Sequence, residues 1–143
     1  MSERHFTRVI GMLQEAGLRP TRQRIALARL LYEAGDRHVT AEELHEQAVA
    51  AHVPVSLATV YNTLHQFTAV GLLREVVVAP GKSYFDTNNS DHHHFFFEDS
   101  GRIQDIPGDA VAIAALPAIP DGQRLSRVDV IVRLAEQAGR QKK

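Results

Sequence analysis

The sequence contains no cysteine among its 143 residues. This absence excludes disulfides, thiolate zinc sites and cysteine-based redox switching, so any metal site must use His, Asp or Glu. No apolar run approaches the ~20 residues of a membrane span, and the N-terminus has no apolar signal segment. The chain is therefore expected to be cytoplasmic and to have no membrane partner.

Strong net charge is also lacking, since the formal value is −1. Bulk charge thus gives no support for nucleic-acid binding, and the distribution of charge matters more. Four arginines and no acidic residue fall between Arg19 and Arg29. A solvated helix face could produce the same run, so this cluster alone is weak evidence.

Four helices are predicted in the first seventy residues, from apolar spacing and capping residues. The first ends at Gly17, and Thr21 caps the second, which stops near Gly35. A capping box at 40–43 opens the third, and Ser56 caps the fourth, which ends at Gly71. Two strands follow at 72–78 and 83–87, joined by a turn with proline and glycine. This order predicts a winged helix-turn-helix with helix 56–69 in the major groove.

The outward face of the fourth helix is polar but uncharged, because no Asp, Glu, Lys or Arg occurs between Ser56 and Gly71. Solvent-facing helices usually carry more Lys and Glu, so this face is expected to contact DNA. Arg19 and Arg22, which precede this helix in the sequence, are suited to contact backbone phosphates or the minor groove. The predicted DNA-binding residues are Arg19, Thr21, Arg22, Ser56, Thr59, Tyr61 and Asn62.

Three consecutive histidines, His92 to His94, precede three phenylalanines. On a β-strand, His92 and His94 share one face and His93 lies on the other. Two imidazoles on one face can bind a single cation, so the triplet predicts metal or haem ligation. The alternative is an expression tag or a solvated polar turn, but tags usually lie at a terminus and this triplet runs directly into an aromatic strand.

The second half begins after a polar hinge at 88–90. Strands are predicted at 92–98, 102–106 and 125–134, a short helix at Gly108 to Leu116, and a loose tail at 135–143. A domain with so few elements has only marginal stability by itself. Pairing of two copies would complete its core, so a homodimer is predicted. The predicted class is α+β, with domains at 1–87 and 91–143.

Four stretches resemble the ferric uptake regulator (Fur) family: LRPTRQR at 18–24, HVTAEEL at 38–44, SLATVYNTL at 56–64 and the histidine triplet. The resemblance implies a winged-helix DNA-binding domain, a small α/β dimerisation domain, operator DNA as partner and no enzymatic activity. It also implies one interdomain regulatory site for Fe(II), Mn(II) or Zn(II), with ligands His38, Asp86, His92, His94 and Asp105.

Two other metal sites of the family look lost. The structural zinc site made of four cysteines is absent, and Phe97 and Ser100 stand where its first cysteine pair would fall. Asp91, Ala112 and Val128 stand where a second site would need His, Glu and His. A cysteine-free chain with this triplet looks most like the iron response regulator subgroup, which implies control of iron and haem genes and haem binding through His92, His93 and His94.

Two alternatives remain open. One is a Mn(II)-, Fe(II)- or peroxide-responsive repressor of the same family, because Asp86 and Asp105 resemble the paired aspartates of peroxide sensors. The other is a cupin-like metalloenzyme, since His92, His94 and Glu98 fit the core of that metal motif. The cupin fold needs about eight strands, whereas the first seventy residues predict helices.

Overall fold

The computed structural model describes residues 3–33, 35–88, 90 and 92–137. Asn89 of the predicted hinge, Asp91, and residues 138–143 of the predicted tail lie outside the described residues. The chain divides into two compact units, Met1–Asn89 and Ser90–Lys143. None of the described helices is long and apolar enough to cross a membrane.

The first unit contains four helices: α1 (Glu3–Glu15), α2 (Arg22–Tyr32), α3 (Ala41–Ala50) and α4 (Leu57–Ala69). The three predicted caps are confirmed. Oγ1 of Thr21 accepts a hydrogen bond from the backbone of Arg24, and Oγ of Ser56 accepts one from Thr59. Thr40 and Glu43 form a reciprocal capping box. Local side-chain chemistry therefore sets where these helices begin.

The core of the first unit is a single apolar cluster beneath the helices. Residues from all four helices and from the adjoining strands contribute to it, and each is almost completely buried. They include Leu13, Leu27, Leu31, Val39, Leu44, Val60, Leu64, Phe67 and Phe85. Because Val60, Leu64 and Phe67 occupy the inner face of α4, its polar face is turned away from this core.

Three strands complete the first unit: β1 (His38–Val39), β2 (Arg74–Ala79) and β3 (Lys82–Asp86). They form an antiparallel sheet in the order β1–β3–β2. The hairpin of β2 and β3 turns at Pro80 and Gly81, where the glycine φ of 71° suits the predicted turn. Helices followed by this hairpin give the predicted winged helix-turn-helix.

The second unit contains β4 (His92–Phe97), β5 (Arg102–Pro107) and β6 (Ile131–Leu134). The strand order is β5–β4–β6, with β4 antiparallel to β5 and parallel to β6. The central strand therefore carries the histidine triplet. Phe96 and Ile106 are the apolar side chains buried in the described part of this unit.

Two predictions for the second unit are wrong. The helix predicted from Gly108 to Leu116 is one turn of 3-10 helix, Gly108–Ala110, and the strand predicted from 125 to 134 is limited to β6. A helix this short is marginal without packing, and Ile113 and Leu116 are exposed. The described residues of this unit therefore do not supply the apolar contacts that a longer helix would need.

Candidate metal centre and DNA-reading face

The first unit carries two of the predicted metal ligands on adjacent strands. His38 of β1 and Asp86 of β3 are direct cross-strand partners, and Nε2 of His38 lies 3.1 Å from Oδ2 of Asp86. The other carboxylate oxygen, Oδ1, accepts a hydrogen bond from the backbone N–H of Asn88. The buried Asp86 is therefore held with one oxygen directed at the imidazole.

The second unit carries the other three predicted ligands. His92 and His94 share a face of β4, with ring centroids 4.7 Å apart. Nε2 of His92 lies 3.5 Å and Nε2 of His94 lies 3.4 Å from the same atom, Oδ1 of Asp105. Asp105 reaches them because it is the cross-strand partner of His94 on β5. The alternation predicted from the sequence therefore brings two imidazoles and one carboxylate together.

The hydrogen bond of His92 to the backbone determines which of its ring nitrogens faces Asp105. Nδ1 of His92 lies 2.6 Å from the backbone oxygen of Ser90. A carbonyl oxygen can only accept, so Nδ1 carries a hydrogen and the neutral ring has its lone pair on Nε2. That lone pair faces a carboxylate oxygen of Asp105. Two acceptors face each other favourably only when a cation, a proton or a metal ion, lies between them.

The distances within each set fit a divalent ion. Two ligand atoms that lie about 2.1 Å from one ion stand roughly 3.0 Å apart in an octahedron and roughly 3.4 Å apart in a tetrahedron. The nitrogen–oxygen distances of 3.1, 3.4 and 3.5 Å fall in or close to this range. Imidazole and carboxylate together suit Fe(II), Mn(II) and Zn(II).

His93 has a different environment from its neighbours. Its Nδ1 accepts a hydrogen bond of 3.1 Å from the backbone N–H of Val130, and the side chain is buried. The neutral ring therefore carries its hydrogen on Nε2. Ligation of haem through Nε2 would require the other tautomer, whose Nδ1–H would oppose the N–H of Val130. The contact fits a structural role that joins β4 to the segment before β6.

The turn between β4 and β5 carries Phe97 and Ser100, the two positions at which the sequence resemblance would place a cysteine pair. The guanidinium of Arg102 lies 4.2 Å from the centre of the Phe97 ring, within the range of a cation–π interaction. Oγ of Ser100 accepts from the backbone of Arg102, and Asp99 accepts from the backbone of Glu136. These contacts connect the two ends of the turn and join it to the segment after β6.

The predicted DNA-binding residues lie in the first unit, around the start of α2 and along α4. Arg19, Arg22, Ser56 and Asn62 are exposed, and Thr59 is half-buried. Thr21 and Ser56 serve as helix caps, as described above. The arrangement leaves two arginine side chains and a polar helix face available to a ligand.

A hydrogen-bonded pair joins α2 to this face of α4. Arg24 donates from Nε and from a terminal nitrogen to the same atom, Oε1 of Gln66, at 3.3 and 3.1 Å. It also donates to the backbone oxygen of Arg19. Since the guanidinium can only donate, the amide oxygen of Gln66 must face it and the amide NH₂ points elsewhere. Arg24 thereby fixes the orientation of the Gln66 amide, with its oxygen toward the guanidinium and its NH₂ group directed away from it.

Tyr61 is held by an acidic residue of α3. Its hydroxyl donates to Oε2 of Glu42 at 2.8 Å. This hydrogen bond to Glu42 raises the pKa of the Tyr61 phenol above its usual value, with smaller contributions from burial and from the nearby negative charge. The phenol is therefore protonated at neutral pH and acts as a donor to the carboxylate.

Sequence reasoning missed three residues at these sites. Glu42 and Arg24 act through contacts between helices, which helical periodicity alone does not reveal. Arg74 is the cross-strand partner of Asp86 on β2 and is buried. Arg74 lies within the predicted strand 72–78. A charged residue in a mostly apolar strand is the signal that could have identified it as a buried partner.

Comparisons with known proteins agree with this arrangement. Residues 15–119 match the sequence profile described as the ferric uptake regulator family. The peroxide-responsive repressor PerR of Staphylococcus aureus is 36% identical over 104 residues, which cover 72% of this chain and 69% of that protein. The matched family region includes α2, α3, α4 and the histidine triplet.

Solved structures share the fold. The ferric uptake regulator of Pseudomonas aeruginosa, determined with manganese, superposes with a TM-score of 0.68 at 24% identity and covers 90% of this chain and 98% of its own. The Vibrio cholerae regulator gives 0.67 at 22% identity, with 88% and 98% covered. They confirm the predicted α+β fold, in which an N-terminal winged helix-turn-helix is followed by a smaller unit. The chain belongs to the ferric uptake regulator family, as a metal-responsive DNA-binding regulator and not an enzyme.

Proposed function

We propose that two copies of this chain form a cytoplasmic transcriptional repressor whose affinity for operator DNA is controlled by one divalent metal ion per copy. The ion would be Fe(II) or Mn(II), with Zn(II) able to substitute. Its ligands would be His38, Asp86, His92, His94 and Asp105. The observation that carries this proposal is the lone pair of His92 facing the Asp105 carboxylate, an arrangement completed by a cation.

The distribution of ligands suggests how the ion would act. His38 and Asp86 belong to the DNA-binding unit, whereas His92, His94 and Asp105 belong to the second unit. Neither set supplies the six ligands that an octahedral ion prefers. An ion that binds both sets would fix the orientation of the DNA-binding unit. In a dimer, this would set the spacing of the two α4 helices, and half-sites on one face of DNA lie roughly 34 Å apart.

Pairing of two copies is supported by the second unit. Ile113, Leu116, Ile119 and Leu125 are exposed apolar residues, and the segment that carries them has little regular structure. Among its described residues, the three-stranded sheet buries two apolar side chains, Phe96 and Ile106. Such a core is too small to make the unit stable by itself. Burial of these residues against a second copy would supply the missing apolar contact.

Peroxide sensing is a second candidate, favoured by the 36% identity to PerR of Staphylococcus aureus. Both carboxylates of the proposed site are aspartates, as in the peroxide sensors that the sequence resembles. In that case, hydrogen peroxide would inactivate the Fe(II)-loaded protein by oxidation of a ligand histidine. Mass spectrometry of tryptic peptides would then detect one added oxygen on the peptide carrying His38 or on that carrying His92 and His94. The Mn(II)-loaded protein treated in the same way is the control.

Haem is the alternative effector, supported by the three successive imidazoles on β4. A divalent ion such as Mn(II) accounts better for the mixed carboxylate and imidazole ligands, because haem iron is usually held by one or two axial protein ligands. Titrations with Mn(II) and with haem distinguish the two. Metal-dependent tightening on DNA without a Soret shift supports the divalent ion, whereas a Soret shift at one equivalent with loss of DNA affinity supports haem.

The direct test replaces His92 and His94 by alanine together. The double variant should lose the effect of Mn(II) on DNA affinity, measured by gel shift, and should remain a dimer by sedimentation. His52→Asn is the matched control, because it removes an exposed imidazole while keeping a residue type that tolerates the positive φ of 60° at this position. Retention of the full Mn(II) response by the double variant would contradict the proposed site.

A further inference from the structure

The contact between Tyr61 and Glu42 has a consequence for how DNA is read. Tyr61 lies in the second turn of α4, and Glu42 lies in the first turn of α3. The ring of His65, one turn along α4, lies edge-on to Tyr61 with centroids 6.3 Å apart, and itself packs against Phe85 at 5.7 Å. Tyr61 is therefore held both at its hydroxyl and at its ring.

A phenol has one hydrogen to donate and two lone pairs that can accept. The hydrogen of Tyr61 is directed at Glu42, so the group that remains available is an acceptor. The neighbouring carboxylate is acceptor-only and negatively charged. At this point, the reading face presents acceptors beside a negative charge, a combination that repels phosphate and attracts N–H donors.

The major groove offers donors of this kind. Adenine presents its N6 amino group there and cytosine its N4 amino group, whereas phosphate oxygens can only accept. We propose that Glu42 is a specificity-determining residue, because by binding the phenolic hydrogen it turns Tyr61 into an acceptor for an exocyclic amino group and keeps it from phosphate. This inference rests on the proposed function only in requiring that α4 faces DNA.

The surroundings of the pair agree with this role. A groove of about 420 Å³ separates α4 from the β2–β3 hairpin, and Glu42, Tyr61, His65, Glu75 and Lys82 help to line it. Two of these residues are acidic and one is basic, so the groove offers no excess of positive charge for a phosphate. The arginines Arg19 and Arg22 are the exposed cations at the start of α2.

A purely structural role for Glu42 makes a different prediction. A carboxylate in the first turn of a helix is favoured by the helix dipole, and Glu42 could serve α3 in this way alone. Removal of the charge would then lower thermal stability and leave the base preference of the protein unchanged. Base preference is therefore the readout that separates the two roles.

The experiment selects bound sequences from a library of random DNA duplexes in the presence of Mn(II). It compares the full-length protein with Glu42→Ala, Tyr61→Phe and Glu46→Ala. Glutamine at position 42 would keep a carbonyl oxygen that can accept the Tyr61 hydrogen, whereas alanine removes the acceptor. Glu46 is exposed on the same helix, so Glu46→Ala makes the same charge change without affecting Tyr61. Thermal unfolding of each variant provides the check on folding.

We expect Tyr61→Phe and Glu42→Ala to lose preference, by about tenfold, at the same A·T or C·G position of each half-site. Other positions should keep their preference, and Glu46→Ala should match the unmodified protein. Glu42→Ala should also bind a mixed-sequence duplex more tightly, because a negative charge near phosphate is removed.

Two results would overturn the inference. In the first, Tyr61→Phe weakens binding to all sequences equally and lowers the salt slope, which would make Tyr61 a phosphate donor. In the second, Glu42→Ala keeps every base preference. Failure of the proposed function is distinguishable from both, because the unmodified protein would then select no sequence with Mn(II) or with chelator.

Discussion

Nε2 of His38 lies 3.1 Å from Oδ2 of Asp86, and the two residues are direct partners between β1 and β3. The short strand β1 therefore places an imidazole against a buried carboxylate inside the DNA-binding unit. Asn88 holds the second carboxylate oxygen. Asp86 is thus oriented by its own unit before any contribution from the other predicted ligands.

Replacement of Asp86 by asparagine tests this ligand with little change in shape. The amide oxygen can still accept from the backbone of Asn88, and His38 can adopt the tautomer that accepts from the amide NH₂. We expect Mn(II) affinity, measured by isothermal titration calorimetry, to fall at least about tenfold, since changes in groups that only support metal ligands cost that much. Thermal unfolding without metal should change little. Unchanged Mn(II) affinity would remove Asp86 from the ligand set.

The Arg102–Phe97 contact offers a test of what stabilises the hairpin of β4 and β5. Arg102→Ala should lower the free energy of unfolding by about 0.5–1 kcal/mol, because an exposed cation–π interaction is lost. Urea unfolding followed by circular dichroism measures the change, and Arg124→Ala, at an exposed position of the same unit, serves as the control. Equal effects of the two substitutions would mean that the Phe97 contact adds no stability.

Local chemistry predicted most of the first unit. Thr21, Thr40 and Ser56 were identified as caps because a cap depends on residues within one turn of the chain. The turn at Gly81 was identified for the same reason. By contrast, β1 is two residues long and exists only through pairing with β3, so its sequence carries no periodicity to detect.

The second unit was predicted less well, for a physical reason. The helix predicted after Pro107 and the long last strand would each need apolar contacts from residues far away in sequence, which a local pattern does not report. For the candidate metal ligands, alternation along β4 was enough to group His92 with His94. The Glu42–Tyr61 and Arg24–Gln66 pairs depend on helix packing, which a single sequence does not specify.

Burial of the Tyr32 phenol leads us to expect a loss of folding stability at alkaline pH. Burial raises the pKa of Tyr32 above its usual value, and its hydroxyl donates to the backbone oxygen of Leu72. The unfolded phenol ionises near pH 10, so the folded state holds the proton more tightly. This contribution is present below about pH 10 and is lost as the pH rises toward the folded pKa.

Tyr32→Phe should therefore have two effects on urea unfolding. At pH 8 the variant should be less stable by about 1 kcal/mol, because the oxygen of Leu72 loses its donor. Above about pH 10 the difference should shrink, by at most about 1.4 kcal/mol per pH unit. Tyr84→Phe is the control, since the pKa of Tyr84 is also raised but its ring is less buried. A difference independent of pH would contradict the assignment.

Arg22 is the sharpest test of phosphate contact in the DNA-binding unit. It is exposed at the first position of α2, where the helix dipole disfavours a positive charge. Arg22→Ala should therefore leave thermal stability unchanged or slightly higher. If Arg22 neutralises one phosphate, the slope of log affinity against log salt should fall by about one unit, with the loss of affinity similar for all sequences. Fluorescence anisotropy at several salt concentrations measures the slope.

Arg127→Ala removes the same charge from an exposed residue of the second unit, and it should leave the slope unaltered. A slope that Arg22→Ala does not change would exclude Arg22 from the phosphate contacts and leave Arg19 as the candidate at this end of α2.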